Sequence, residues 1–322
     1  MMRFATRLPA VMLTAALPAY AQVPPAEPQQ WLQRAAQSAR TLTYTGTYVH
    51  ATDDRISTAR ITHAVLGGDE HERIETLDGP LREFLRRNDE MQCVMPDAKT
   101  VRLDRRTTGR FFPSLLSSPD AIAENYVVKL GGVERVLGME CQWIRLEPRD
   151  ALRFHQRVCA ELASGLLLRA RVLGEHNRVL ENYTFTEVRI GPQVARSEIR
   201  SAFHQDQSKW QTDSKPRDEA KSVDTGWSVA NPPAGFKKVM EMRRTMPGKP
   251  QPVSHLVFSD GLASISVFVE PAPPGAKAVE ATYDEGLYSV FVSSVGDHVV
   301  TVLGEVPPAA TQQAGRSVTR LR

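Results

Sequence analysis

The sequence predicts a mainly β protein (α+β) built as two unequal domains. Three observations carry this. Runs rich in Val, Ile, Thr and aromatic residues recur at short, regular intervals from Thr43 to Ile190, with turn residues between them and no strand–helix alternation. Composition shifts at Phe203, after which His204 to Thr225 is almost wholly polar. Two Gly/Asp-centred hairpin signals then follow in the remaining segment. With 322 residues, 41% hydrophobic and 24% charged, the chain has apolar material for two cores and too little for a multi-span membrane protein.

The N-terminus reads as an export signal. Arg3 and Arg7 form a basic start, Leu8 to Leu17 an apolar run, and Ala19-Tyr20-Ala21 a small-residue cleavage site. The run is too short to span a bilayer and is broken by prolines. Residues 1–21 are therefore expected to be a signal peptide cut after Ala21, leaving an extracytoplasmic mature chain. The net charge is +3, from 40 Lys+Arg and 37 Asp+Glu; without Arg3 and Arg7 the balance is 38 to 37. A mature protein this close to neutral has no global electrostatic reason to bind nucleic acid.

Residues 22–203 form the expected first domain. Trp31, Leu32, Ala35, Ala36, Ala39 and Leu42 recur at helical spacing and predict a helix over Gln29–Leu42. Strands are expected at Thr43–His50, Ile56–Val65, Glu72–Leu77, Leu81–Arg87 and Glu90–Met95, an antiparallel meander punctuated by Asp53-Asp54, Gly67-Gly68-Asp69, Asp78-Gly79-Pro80 and Asn88-Asp89. Ser118-Pro119-Asp120 starts a short helix. Six more strands follow, near Tyr126–Leu130, Glu134–Leu137, Cys141–Leu146, Arg153–Ala160, Leu166–Val172 and Val179–Ile190.

Export makes the three cysteines informative. A hairpin centred on Asp150 sets Cys141 opposite Cys159 on one face, with Trp143 and Arg157. A cross-strand disulfide is one reading, and two free thiols, with Cys141 packing as a small apolar residue, is the other. Cys93 is left over.

Residues 204–225 read as a flexible linker in which Trp210 is the one large apolar side chain. In the second domain, residues 226–322, His255–Ser259 and Leu262–Glu270 form a hairpin on Asp260-Gly261, the type I′ signal, and Leu287–Val295 and His298–Val306 form another on Gly296-Asp297. Pro307-Pro308 opens a final short helix.

Enzymatic signatures are missing: no G-x-S-x-G, H-E-x-x-H, P-loop or G-x-G-x-x-G. His71, within Asp69-Glu70-His71-Glu72, belongs to a solvated turn leading into a strand, because strand neighbours point to opposite faces. Neither a metal nor another cofactor is expected. Two features rise above background. Arg102, Arg105, Arg106 and Arg110 precede Phe111-Phe112-Pro113-Ser114-Leu115-Leu116, a pattern suited to a flap over an apolar cavity with guanidiniums placed for phosphate or carboxylate groups. The hairpin Val253–Glu270 is apolar on both faces, which suits either burial within its own domain or a partner surface, with Phe258 and Phe268 as anchors and His255 at its start.

The chain resembles the RseB/MucB family of periplasmic regulators of envelope-stress sigma factors. The resemblance rests on Tyr44-Thr45-Gly46-Thr47-Tyr48-Val49, Leu77-Asp78-Gly79-Pro80-Leu81-Arg82-Glu83, and Pro148-Arg149-Asp150 with Arg153-Phe154. In the second domain it rests on Ser259-Asp260-Gly261-Leu262-Ala263-Ser264, Val295-Gly296-Asp297-His298 and Gly304-Glu305-Val306-Pro307-Pro308. It implies an unclosed antiparallel β half-barrel, similar to lipoprotein carriers, followed by a smaller partner-binding domain. It also implies a non-enzymatic regulator that binds the periplasmic part of a RseA/MucA-like anti-sigma factor and shields it from proteolysis. Release by lipopolysaccharide or the acyl chains of mislocalised lipoproteins would then involve the Arg102–Leu116 region. A periplasmic lipid or lipoprotein carrier is the competing reading, and a homo-oligomer stays open.

Overall fold

The first domain folds as one open sheet of twelve strands with two helices against it. The computed structural model describes residues 27–104, 111–116, 118–191, 193–204, 209–213, 223–246, 248–249 and 251–321. The expected signal peptide and Arg105, Arg106 and Arg110 lie outside these residues. After α1 (Pro28–Thr41) come β1 (Tyr44–Thr52), β2 (Ile56–Leu66), β3 (Asp69–Thr76), β4 (Glu83–Arg87), β5 (Glu90–Met95) and β6 (Thr100–Asp104). Then follow α2 (Pro119–Asn125), β7 (Tyr126–Val136), β8 (Met139–Pro148), β9 (His155–Glu161), β10 (Leu167–Leu173), β11 (Val179–Ile190) and β12 (Gln211–Asp213).

The sheet runs β12-β6-β5-β4-β3-β2-β1-β11-β10-β9-β8-β7. Two meanders therefore meet where β1 pairs with β11, Tyr44 opposite Ile190 and Thr52 opposite Glu181. The ends, β7 and β12, are not joined, so the sheet does not close into a barrel. At the central seam Gly46 has no substitute: a Cβ there would lie 2.5 Å from the Glu187 carbonyl and 2.8 Å from the Phe185 ring.

One face of the sheet holds the core. Trp31, Leu32 and Ala35 of α1 and Ile122 of α2 are buried with Tyr44, Ile61, Ile144, Leu146 and Phe185. The segment 111–116 also enters this core. Phe112 is fully buried, stacked 5.6 Å from Tyr183 and tilted against Phe185 at 4.9 Å, and Leu116 is also buried.

Three expectations change in detail. Tyr126–Leu130 and Glu134–Leu137 are one strand, β7, because Gly131 and Gly132 make a bulge against β8 rather than a turn. Cys141 and Cys159 are joined by a disulfide, but the ladder pairs Trp143 with Cys159 and Cys141 with Glu161. The two cysteines are thus diagonal neighbours with Cα atoms 5.4 Å apart, not directly opposite. Finally, part of the expected linker belongs to the sheet: Gln211–Asp213 pairs in parallel with Thr100–Arg102 at the free edge, and Trp210 packs on Phe203. Edge pairing uses backbone groups alone, so a polar segment can join a sheet without any apolar pattern.

The second domain is a six-stranded sheet ordered β14-β15-β16-β19-β18-β17, made of β14 (Lys237–Arg244), β15 (Val253–Ser259), β16 (Ser264–Pro271), β17 (Glu280–Glu285), β18 (Tyr288–Val295) and β19 (His298–Gly304). Helix α3 (Pro308–Arg316) packs on it through Ala310 and Ala314. Gly315 lets the helix close down on Phe291, whose ring would lie 2.3 Å from an added Cβ. A two-stranded piece, β13 (Trp227–Val229) with β20 (Val318–Arg320), ties the ends of this domain together.

Candidate functional site: the interdomain cleft

Alternation along the strands decides what the first domain presents to the second. Gln156, Val172 and Glu181 form one row across β9, β10 and β11, and Ala170 and Tyr183 belong to the next. These side chains, with Phe111, Leu115, Glu70, Glu72 and Arg86, line a cleft of about 910 Å³. The opposite wall comes from the second domain: Val239, Val257, Leu262, Ala263, Leu287 and Glu305. Apolar and ionisable surface thus alternate around one space, as in ligand and partner grooves.

The ionisable part is a connected network. Nδ1 of His63, which is fully buried, donates to the Leu42 carbonyl at 2.7 Å, and its Nε2 lies 3.2 Å from Glu70 Oε1. The ring thus spans a backbone carbonyl and a carboxylate. Arg86 donates to Glu70 at 2.7 Å and to Glu72 at 3.2 Å. Burial opposes the charge of Glu70, but the His63 hydrogen bond and Arg86 outweigh it and hold its pKa below the ordinary carboxylate range. Glu72, more deeply buried, is pushed above that range by desolvation despite Arg86. Tyr44 stacks on His63 at 4.8 Å and donates to the Ala39 carbonyl at 3.1 Å, which completes the polar floor. A second pair lies further along: His50 stacks on Tyr183 and meets Glu181 at 2.8 Å.

A buried ion pair fixes how the two walls face each other. Arg153, in the loop before β9, donates from Nε to Asp260 Oδ2 at 2.7 Å, with side chains 1% and 0% exposed. Arg153 also bonds Asp150 at 2.5 Å and the Ala234 carbonyl, and its guanidinium lies 4.8 Å from the Phe236 ring centre. The other carboxylate oxygen of Asp260 accepts from the backbone of Leu262 and Ala263 at 2.8 and 2.7 Å. Asp260-Gly261 therefore does not form the expected two-residue type I′ turn. The loop has four residues, with Ser259 opposite Ser264, and its aspartate is the acceptor of the domain joint. Tyr126 Oη approaches the same carboxylate at 3.4 Å, and Asn125 donates to the Asp260 carbonyl at 3.3 Å.

The residues singled out from sequence are distributed unevenly around this site. Phe111, Leu115 and Leu116 line the cleft, Leu116 from within the core, whereas Phe112 is core alone. Arg102 is exposed on β6. Phe258 is buried in the second core opposite Ile265, and His255 is buried with its ring stacked 4.2 Å from half-buried Phe268. Both faces of β15 are covered by this chain, so Phe258 and His255 are not presented outward here. The joint was missed. Its only sequence signal is that Pro148-Arg149-Asp150 with Arg153, and Ser259 to Ser264, are two of the segments that carry the family resemblance, and in space they meet.

Comparison with known proteins gives a consistent result. The model for the MucB/RseB N-terminal domain matches residues 27–203, and that for the MucB/RseB C-terminal domain matches residues 221–319. The sigma factor AlgU regulatory protein MucB of Pseudomonas aeruginosa is 28% identical over 313 residues, 96% of each chain. The sigma-E factor regulatory protein RseB of Escherichia coli is 24% identical over 296 residues, 89% of each. Among solved structures, the Pseudomonas aeruginosa MucA/MucB complex superposes with a TM-score of 0.77 at 28% identity, over 92% of this chain and all of the other. MucB alone superposes with a TM-score of 0.61 at 25% identity, over 92% of this chain and 98% of the other. With both of its domains matched and its length spanned by these relatives, the chain belongs to the MucB/RseB family.

Proposed function

We propose that this protein is a periplasmic regulatory binding protein that holds the periplasmic part of a MucA/RseA-like anti-sigma factor across the interdomain cleft, and that it carries out no catalysis. The observation that supports this most directly is the arrangement of the domains. It superposes better on MucB from complexes with MucA, at TM-scores of 0.77 and 0.75, than on MucB alone, at 0.61. The cleft offers a partner two kinds of contact, apolar at Phe111, Leu115, Val257 and Leu262 and charged at Glu70 and Arg86. A bound segment would shield its own backbone there from a protease.

Lipid release belongs to the same reading. Acyl chains entering beside Phe111 and Leu115 occupy the space a partner needs, with about 0.8 kcal/mol per buried methylene available to compete. Lipid displaces the partner only by favouring the partner-free arrangement. The test is to mix delipidated mature protein with the periplasmic fragment of an anti-sigma factor and follow complex formation by gel filtration and calorimetry. An acylated peptide is then titrated into the complex. A micromolar or tighter complex that dissociates as lipid is added is the expected result. Failure to form it overturns the regulator, and a complex that survives saturating lipid overturns the release step.

A further inference from the structure

On the face of the large sheet opposite the cleft, the register places like charges side by side. Lys129 pairs with Arg145, Arg145 with Arg157, and Arg157 with Arg171. Four cations therefore form one row across β7, β8, β9 and β10, roughly 14 Å long at the usual strand spacing. Directly opposed like charges destabilise a sheet, and elsewhere in this sheet they are neutralised: where Glu75 faces Glu83, Arg73 bonds both carboxylates. Arg60 likewise pairs with Glu75 directly across the ladder, and Arg87 reaches diagonally to Asp69. In the row, Arg157 and Arg171 instead bond the neutral side-chain oxygens of Asn177 and Asn182, at 2.9 and 3.2 Å. Arg145 has no carboxylate within ion-pair distance among the described residues, and its buried Nε has no hydrogen-bond partner. The neighbouring carboxylates are Glu147, on Lys129, and Glu134, on Arg169. Arg171 lies over half-buried Trp143, 5.4 Å from its ring centre. Its pKa is lowered by burial first and then by Arg169 and Arg157, with Glu134 acting the other way.

We propose that this arginine row is a docking face for an anionic phospholipid surface, and that it turns the protein's opposite side, with the cleft, away from the bilayer. Charge complementarity identifies the occupant, because the chain as a whole is close to neutral and the excess is local. The shape of the face favours a lipid surface over an acidic peptide. β8, β9 and β10 are interior strands with ladders on both sides, so no peptide strand can add there. Gln156, Ala170 and Val172, which line the cleft, sit on the alternate positions and face away from the row, and of the row's four members Arg171, between Ala170 and Val172, also borders the cleft. Trp143 beneath the guanidiniums is a residue type suited to a bilayer interface.

The experiment is flotation of the full mature protein with vesicles of phosphatidylcholine alone, or with one-third phosphatidylglycerol, at low and high salt. Binding should require phosphatidylglycerol and be lost at high salt. Arg145→Gln and Arg157→Gln should each lower partitioning about fivefold, the factor equivalent to about 1 kcal/mol per basic residue at such a surface. Lys129→Gln, at the exposed end of the row, should do the same if either arginine variant folds poorly. Arg87→Gln removes equal charge outside the row and should change binding less than twofold. Anti-sigma complex formation should be unaffected throughout. Equal binding to neutral vesicles, an equal loss in Arg87→Gln, or well-folded row variants that bind as wild type would each overturn the proposal. So would polyglutamate binding more tightly than the vesicles, which would assign the face to an acidic polypeptide.

Discussion

Replacing Asp260 by Asn removes one charge from the domain joint while keeping an oxygen for the Leu262 and Ala263 amides that shape its loop. Arg153 then remains 1% exposed without its fully buried counter-charge. Breaking a buried pair from one side costs about 3–5 kcal/mol. The lower end applies here, because Asp150 still bonds the guanidinium at 2.5 Å through a carboxylate that is 29% exposed. A loss of about 3 kcal/mol shifts the balance between docked and undocked domains by ~150-fold. Since the pair joins separate hydrophobic cores, the cost should fall on the joint and spare each core. Differential scanning calorimetry should resolve two transitions where the wild type gives one, and X-ray scattering should report a larger radius of gyration. An Asp260→Asn protein that melts in a single unshifted transition with an unchanged scattering profile would refute the claim that this pair sets the domain arrangement.

Three further outcomes follow from the packing. Removing the Cys141–Cys159 bridge, as a Cys→Ala double variant, frees a loop with a sequence separation of 18 and should cost about 3 kcal/mol; made in the Asp260→Asn background, where the two transitions are separate, it should lower the first domain's and leave the second domain's in place. Phe258→Ala empties part of the second core and should cost about 3–5 kcal/mol there, so a variant that loses partner affinity without any loss of melting temperature would return Phe258 to the interface. Glu72 is buried with a raised pKa, so the folded protein holds that proton more tightly than the unfolded chain does. Its contribution to stability declines as pH rises from the ordinary carboxylate value to the raised one; Glu72→Gln should raise the melting temperature at neutral pH more than at pH 4, measured by circular dichroism across a pH series.

The sequence was most legible where side-chain alternation meets a turn signal. Glu90–Met95 was expected with the bounds observed, and the two-residue loop Gly296-Asp297 joins β18 to β19 as its composition suggests. Strands that live by backbone pairing alone were invisible. Gln211–Asp213, Lys237–Arg244 and Glu280–Glu285 carry few apolar side chains and lie at sheet edges, where half of the hydrogen-bonding groups need no partner strand. The disulfide was legible as a possibility, but its register was not, because the loop between β8 and β9 turns about Ala151 rather than Asp150. Arg153 illustrates the deeper limit. It was read as the first residue of a strand, and it is instead a loop residue bonded to an aspartate 107 positions away. No local period encodes such a contact.

The three-residue ladder of β12 on β6 also governs how far the second domain can travel. While it holds, the covalent tether between the domains starts at Asp213, and the ten steps to Val223 span at most roughly 35 Å. If it unzips, the tether starts near His204, and nineteen steps allow roughly 65 Å. The strand that gives way sits at the open end of the sheet, so its release disturbs neither core. The protein thus stores slack at a sheet edge, and a pull on one domain lengthens the leash before it strains the fold.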